Sequence, residues 1–221
     1  MLQQLKQLND HAGESGLAIT AVTPLTRQDG FDQRFKSVAL LSPDPSSFWA
    51  LFSASEQAND GLPDPFDRWS RIAIGSIASS VEGLAIFPFE GPPYHPFSTW
   101  AQRAGVAWQS PSGLLVHAEY GLWISFRGAV ALEIPPDKCH DTESPCVTCP
   151  RPCLNACPVD ALSAGGYDYQ SCLGHVRSAE GKDCANFGCL ARRACPIGHH
   201  LAPPVPQVRA HMKAFAGEPG K

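Results

Sequence analysis

Nine cysteines, all between Cys139 and Cys195 of a 221-residue chain, limit most strongly what this sequence can become. Residues 1–138 contain none. The start, Met1-Leu2-Gln3-Gln4-Leu5-Lys6, lacks the apolar stretch of a secretory leader. No apolar run approaches the roughly 20 residues of a membrane span. The expected location is therefore cytoplasmic, with no membrane partner. Structural disulfides are rare in that reducing compartment, so the thiols need another employment. With 43% hydrophobic and 17% charged residues and a net charge of −4, the chain reads as globular, and nothing attracts it to nucleic acid.

Composition divides the chain near Ile134-Pro135-Pro136-Asp137-Lys138, where paired prolines can continue neither a helix nor a central strand. The expected organisation is an α+β scaffold over 1–138, a cysteine module over 139–200 and a C-terminal helix and tail over 201–221. In the scaffold, Leu2, Leu5 and Leu8 have helical spacing, and 17–22 and 37–41 read as strands. Ser46 or Ser47 is expected to cap a helix through Phe48 and Phe52. Phe66, Trp69, Ile72, Ala73 and Ile77 predict a helix over 65–80, with Pro65 in its first turn. A strand at 83–87 leads into the rigid Gly91-Pro92-Pro93-Tyr94-His95-Pro96, which reads as a turn or a pocket lip. A short helix is expected from Phe97 to near Gly105. Segments 113–117, 122–127 and 129–133 read as neighbouring strands of one antiparallel sheet.

The module opens with Cys146-Val147-Thr148-Cys149-Pro150-Arg151-Pro152-Cys153-Leu154-Asn155-Ala156-Cys157-Pro158. This run resembles the bacterial ferredoxin pattern, with one extra residue between Cys149 and Cys153. Pro158 is expected to start a helix, and Tyr167 to Cys172 resembles the hairpin that reintroduces a cysteine. A looser run follows at Cys184, Cys189 and Cys195-Pro196. Resemblance to two-cluster ferredoxin modules implies exchanged ligands. Cys146, Cys149, Cys153 and Cys195 would hold one [4Fe–4S] cluster, and Cys157, Cys172, Cys184 and Cys189 the other. Cys139 is left over. A Cys₄ zinc site, disulfides, and one cluster with the remaining thiols buried are the competing readings. Arg192 and Arg193, beside Cys195, read as a raised local potential or as a solvated basic patch. His199-His200 invite a metal reading that the cysteines do not require.

Pro63 to Trp69 and, more closely, Gly113-Leu114-Leu115-Val116-His117-Ala118-Glu119-Tyr120-Gly121-Leu122-Trp123-Ile124-Ser125-Phe126-Arg127 through Leu132 resemble segments of the CblC-type cobalamin-processing proteins. The stretch from Arg103 to Leu132, followed by a cysteine module, is similar in order to the cobalamin-dependent epoxyqueuosine reductases. Both resemblances imply a flavin-reductase-like, nitroreductase-related fold that binds a corrinoid. The second adds two [4Fe–4S] clusters. The chain lacks the helical repeats of those reductases and the thiol-binding part of the CblC-type proteins. The resemblance points to His117, Tyr120, Trp123 and Arg127 as cofactor contacts. Each has a plainer account: a satisfied histidine, core aromatics, and an arginine paired with Glu119 or Glu133. The expected function is single-electron transfer through [4Fe–4S] clusters to cobalamin, fed by a donor protein of the flavodoxin or ferredoxin-reductase type. The alternatives are a ferredoxin-like carrier without corrinoid and a zinc-stabilised, non-redox protein.

Overall fold

The computed structural model describes residues 2–136 and 142–217. Cys139 and part of the expected linker lie outside them. The chain forms two compact units, Met1–Val106 with Ser125–Thr142, and Ala107–Ile124 with Glu143–Lys221. This packing differs from the division expected at residue 138, because a cysteine-free segment, 107–124, folds with the cysteines.

The first unit begins with α1 (Leu2–Glu14), followed by the antiparallel pair β1 (Leu17–Pro24) and β2 (Ser37–Pro43). Helices α2 (Phe48–Ala54), α3 (Glu56–Asn59) and α4 (Pro65–Ser80) come next, then β3 (Leu84–Ile86) and α5 (Phe97–Arg103). The chain then contributes β4 (Ala107–Gln109) and β5 (Leu115–His117) to the second unit and returns as β6 (Gly128–Leu132). An antiparallel sheet runs in the order β1-β2-β6-β3. Every residue of β6 and all of β2 before Pro43 are buried, the signature of strands covered on both faces. Helices α1, α4 and α5 pack on this sheet. The helix expected over 65–80 forms with those bounds. At α2 the N-cap is Ser47, one of the two expected residues, but its hydroxyl caps no helix amide and donates instead to Asp44. The Asp44 carboxylate accepts from both serine amides at 3.0 Å and from both hydroxyls.

The second unit pairs β4 with β5 in a sheet of their own, and β7 (Leu162–Ser163) with β8 (Gly166–Tyr167). Helices α6 (Tyr169–Arg177), α7 (Lys182–Phe187), α8 (Leu190–Ala194) and α9 (Val205–Ala216) complete it. Three expectations are corrected here. Residues 122–127 form no strand, and β5 and β6 belong to different sheets. The residues after Pro158 turn instead of forming a helix. Gly165 lies in the β7–β8 turn, and Gly166 opens β8.

The segment 107–124 is fastened to the cysteine region by backbone approach. Gly121 has φ 55°, and a Cβ there would stand 1.9 Å from the carbonyl oxygen of Ile197. Opposite it, Gly198 has φ 66° and would meet the backbone of Tyr120 at 2.5 Å. Only two glycines let the turn after β5 and the turn after Cys195 lie this close. Among the described residues, no helix is long and apolar enough to cross a membrane.

Candidate metal centre

None of the eight described cysteines is in a disulfide. Their thiols interact in two groups. Cys146 is influenced by Cys149 and Cys195, and Cys153 by Cys195, Cys146 and Cys149. Separately, Cys172 is influenced by Cys189 and Cys157, and Cys184 by Cys189 and Cys172. The first quartet is thus Cys146, Cys149, Cys153 and Cys195. The second is Cys157, Cys172, Cys184 and Cys189.

Two short segments connect the quartets. The 3₁₀ helix Pro152–Asn155 carries Cys153 into the first, while Cys157, just beyond it, belongs to the second. Helix α8 reverses that order, with Cys189 at its N-cap in the second quartet and Cys195 at its C-cap in the first. Six helical steps rise roughly 9 Å, which separates the groups while keeping them neighbours. The two connectors pack on each other. The apolar core beneath them joins Cys153 and Cys195 to Val116, Leu122, Leu162 and Ala191.

Burial raises the thiols of Cys146, Cys153, Cys172 and Cys184 above the ordinary range, and neighbouring thiols push the same way. Such a site disfavours bare thiolates and favours a cationic guest that binds them. Polar hydrogens already point at the sulfurs. In the first quartet the amide of Arg151 donates to Cys149 Sγ at 3.3 Å, and the hydroxyls of Ser144 and Ser112 bond Cys146 and Cys153. In the second, the amide of Ala161 donates to Cys157 Sγ at 3.3 Å. The Leu190 amide serves Cys184 and the Tyr167 hydroxyl serves Cys172. Arg151 and Asp160 hold left-handed backbone, φ 57° and 48°, beside these sulfurs. Strain of that kind persists where surrounding bonds impose it. Hydrogen bonds to sulfur and burial are the levers that tune thiolate-bound iron, so the donor set fits [4Fe–4S] clusters. Among the described residues, no three His, Cys, Asp or Glu side chains converge on a single ion, and His199 and His200 are exposed.

The four residues expected against a corrinoid fall in different units. His117 is buried in the second unit, where its Nδ1 accepts from the amides of Glu119 and Tyr120 at 3.1 and 3.2 Å. Tyr120 stands edge-on to that ring. Trp123 packs near Gly188, with its Nε1 buried and without a hydrogen-bond partner. Arg127 lies in the first unit and pairs with Asp67 at 2.6 Å, not with Glu119 or Glu133, and donates to Ser70. Of the expected pocket lip, Tyr94 is exposed, whereas His95 stacks on Phe31 and Trp100. Ser112, Ser144 and Tyr167 were not legible as site residues. Ser144 stands two positions before a cysteine, but nothing local marks Ser112, which reaches Cys153 only through the fold.

No family model matches the chain. The epoxyqueuosine reductase of Synechocystis sp. is 38% identical over 63 residues, 28% of this chain and 21% of that protein. That of Lactococcus garvieae is 33% identical over 82 residues, 37% of this chain and 23% of its own length. The Vibrio cholerae enzyme is 31% identical over 77 residues, 34% and 20% respectively. The chain is therefore similar, over about a third of its length, to a part of epoxyqueuosine reductases amounting to about a fifth of them.

Proposed function

We propose that this protein is a redox protein in which two [4Fe–4S] clusters relay single electrons. The observation that carries this reading is the sorting of eight thiols into two quartets, each ringed by donors aimed at sulfur. When bound, each cluster takes up and releases one electron. The chain's own residues hold the sulfurs apart, exclude water from Cys153, Cys184 and Cys195, and bond the charge that each thiolate retains. A flavodoxin- or ferredoxin-reductase-type protein is the proposed donor, and it is oxidised as the clusters are reduced. A ferredoxin-like carrier delivering electrons to a partner protein is the second reading, since the quartets support it equally.

The proposed acceptor is a corrinoid held on a nitroreductase-related first unit. Its support is the sequence resemblance and the similarity to epoxyqueuosine reductases. His117 and Arg127 are already bonded within their own units, so corrinoid contact would have to replace those bonds, and no step is routed through it.

Anaerobic purification with iron and sulfide analysis tests the reading. About eight irons per chain and a broad absorption near ~400 nm are expected. Zinc alone, or colourless iron-free protein after reconstitution with iron and sulfide, would overturn it. Cobalamin added to the loaded protein should change its absorption spectrum. An unchanged spectrum at excess protein would remove the corrinoid and leave the carrier.

A further inference from the structure

A row of exposed aromatic rings leads away from Cys172 across the surface of the second unit. Asp168 caps α6 by accepting from the amide and hydroxyl of Ser171, and Cys172 follows within one turn, its amide bonded to the carbonyl of Asp168 at 3.2 Å. The same cap fixes the two tyrosines that flank it. Tyr167, the last residue of β8, bonds Cys172 through its hydroxyl, and Tyr169 opens the helix. Tyr167 stands edge-on to Tyr169 with centroids 6.3 Å apart, and Tyr169 stands edge-on to Phe215 of α9 at 5.5 Å. The tyrosines are 45% and 44% exposed, so large rings are left in water beside a cluster ligand, the mark of an interaction surface. Cations edge the row. Arg177 Nε donates to the carbonyl of Ala216 at 2.8 Å, which holds its charge beside Phe215, and Lys213 is exposed two residues before that ring. Among the described residues neither forms an ion pair with a carboxylate. From Tyr167 to Gly217 the chain carries six lysines and arginines against three aspartates and glutamates, in a protein whose net charge is −4.

We propose that this face docks the electron donor, a redox protein with an acidic surface around its own cofactor, and that electrons enter through the cluster that Cys172 helps to hold. The inference rests on the two-cluster reading. The donor's reduced flavin or iron–sulfur centre loses one electron, the cluster gains it, and no bond is made or broken. Charge complementarity names the occupant, since exposed cations beside the rings attract an acidic surface and speed its encounter. Nucleic acid fits less well. The rings are edge-on to one another, so neighbouring rings offer no parallel faces to successive stacked bases, and the chain as a whole is acidic. Three rings and two cations make a small contact, which suits a carrier that must leave after each electron.

Stopped-flow mixing of the anaerobic, iron-loaded full chain with photoreduced flavodoxin tests this, read by the loss of absorption at about 400 nm. At low ionic strength Lys213→Glu should slow reduction about tenfold, and the deficit should nearly vanish in about 1 M salt, where surface charges are screened. Tyr169→Ala should slow reduction at every salt concentration. Both variants should keep the wild-type iron content and cluster potentials, because neither side chain bonds a sulfur. Tyr169→Ala keeps the test open if Lys213→Glu fails to load iron. Equal rates for wild type and variants, no reduction by flavodoxin, or a Lys213→Glu deficit unchanged by salt would overturn the inference. So would binding of single-stranded RNA that Lys213→Glu abolishes while the rate of reduction stays the same, which would assign the face to nucleic acid. Absence of iron from the wild type would instead overturn the reading beneath it.

Discussion

Replacing both Cys153 and Cys195 with serine should leave about half the wild-type iron, whereas replacing both Cys153 and Cys157 should remove nearly all of it. The contrast runs against sequence distance. Cys153 and Cys157 are four residues apart, and Cys153 and Cys195 forty-two. Yet Cys153 shares its electrostatic neighbourhood with Cys195, and Cys157 shares its own with Cys172. Each cluster needs four thiolates, so losing one ligand already releases or cripples it. A second loss in the same quartet then adds little, while a loss in the other quartet adds a whole cluster. Single variants should each retain about four irons, and the effects should be additive only between quartets. Serine keeps the side-chain volume, so the core around Val116, Leu122 and Ala191 is left intact. Iron and sulfide analysis of the six or so variants, purified without air, reads the result. Equal iron in the two double variants would disprove the exchange of ligands between runs.

Helix α4 could be anticipated because its Pro65 and apolar stripe lie within one element. What escaped sequence reasoning depends on partners far along the chain. Residues 122–127 alternate like a strand, but Leu122 and Trp123 turn away. The amide of Trp123 bonds the carbonyl of Tyr120, and Leu122 enters the core around the cysteines. The helix expected after Pro158 fails because the backbone there serves sulfur. The amide of Ala161 goes to Cys157, and Asp160 takes a left-handed conformation to deliver it. The compact units divide the chain elsewhere than composition does for a similar reason. Segment 107–124 contributes Ser112, Val116 and Leu122 to the cysteine unit but no cysteine, so counting thiols could not find it. Arg127 was read beside its nearest acidic neighbours in sequence, yet its partner Asp67 lies on α4, sixty residues away.

The largest stability effect in the first unit should come from Asp29→Ala. Its carboxylate is only 3% exposed and accepts the Nε1 hydrogen of Trp100 at 2.8 Å, with Arg103 Nη1 at 2.7 Å. The amide and hydroxyl of Thr26 complete the set. Alanine would leave the Trp100 indole, on a fully buried residue, without its acceptor and the guanidinium of Arg103 without its counter-charge. Removing one partner of a buried pair costs about 3–5 kcal/mol, and the lower end applies because Arg103 is 27% exposed. Urea unfolding at pH 7 should show a loss of ~3 kcal/mol, and less for Asp29→Asn, which can still accept. The same carboxylate sets an acid limit. Burial by itself would raise its pKa, but the bonds from Arg103, Trp100 and Thr26 prevail and hold it well below the usual carboxylate range. The folded pKa is thus below the unfolded value of about 3.9. The resulting stabilisation is complete above that value and is lost as the pH falls towards the folded pKa. Between pH 5 and pH 3 the wild type should lose stability more steeply than Asp29→Asn, which has no proton to bind. Parallel slopes for the two proteins would show that the carboxylate titrates alike in folded and unfolded chains, and that its bonds to Trp100 and Arg103 are not the anchor of α5.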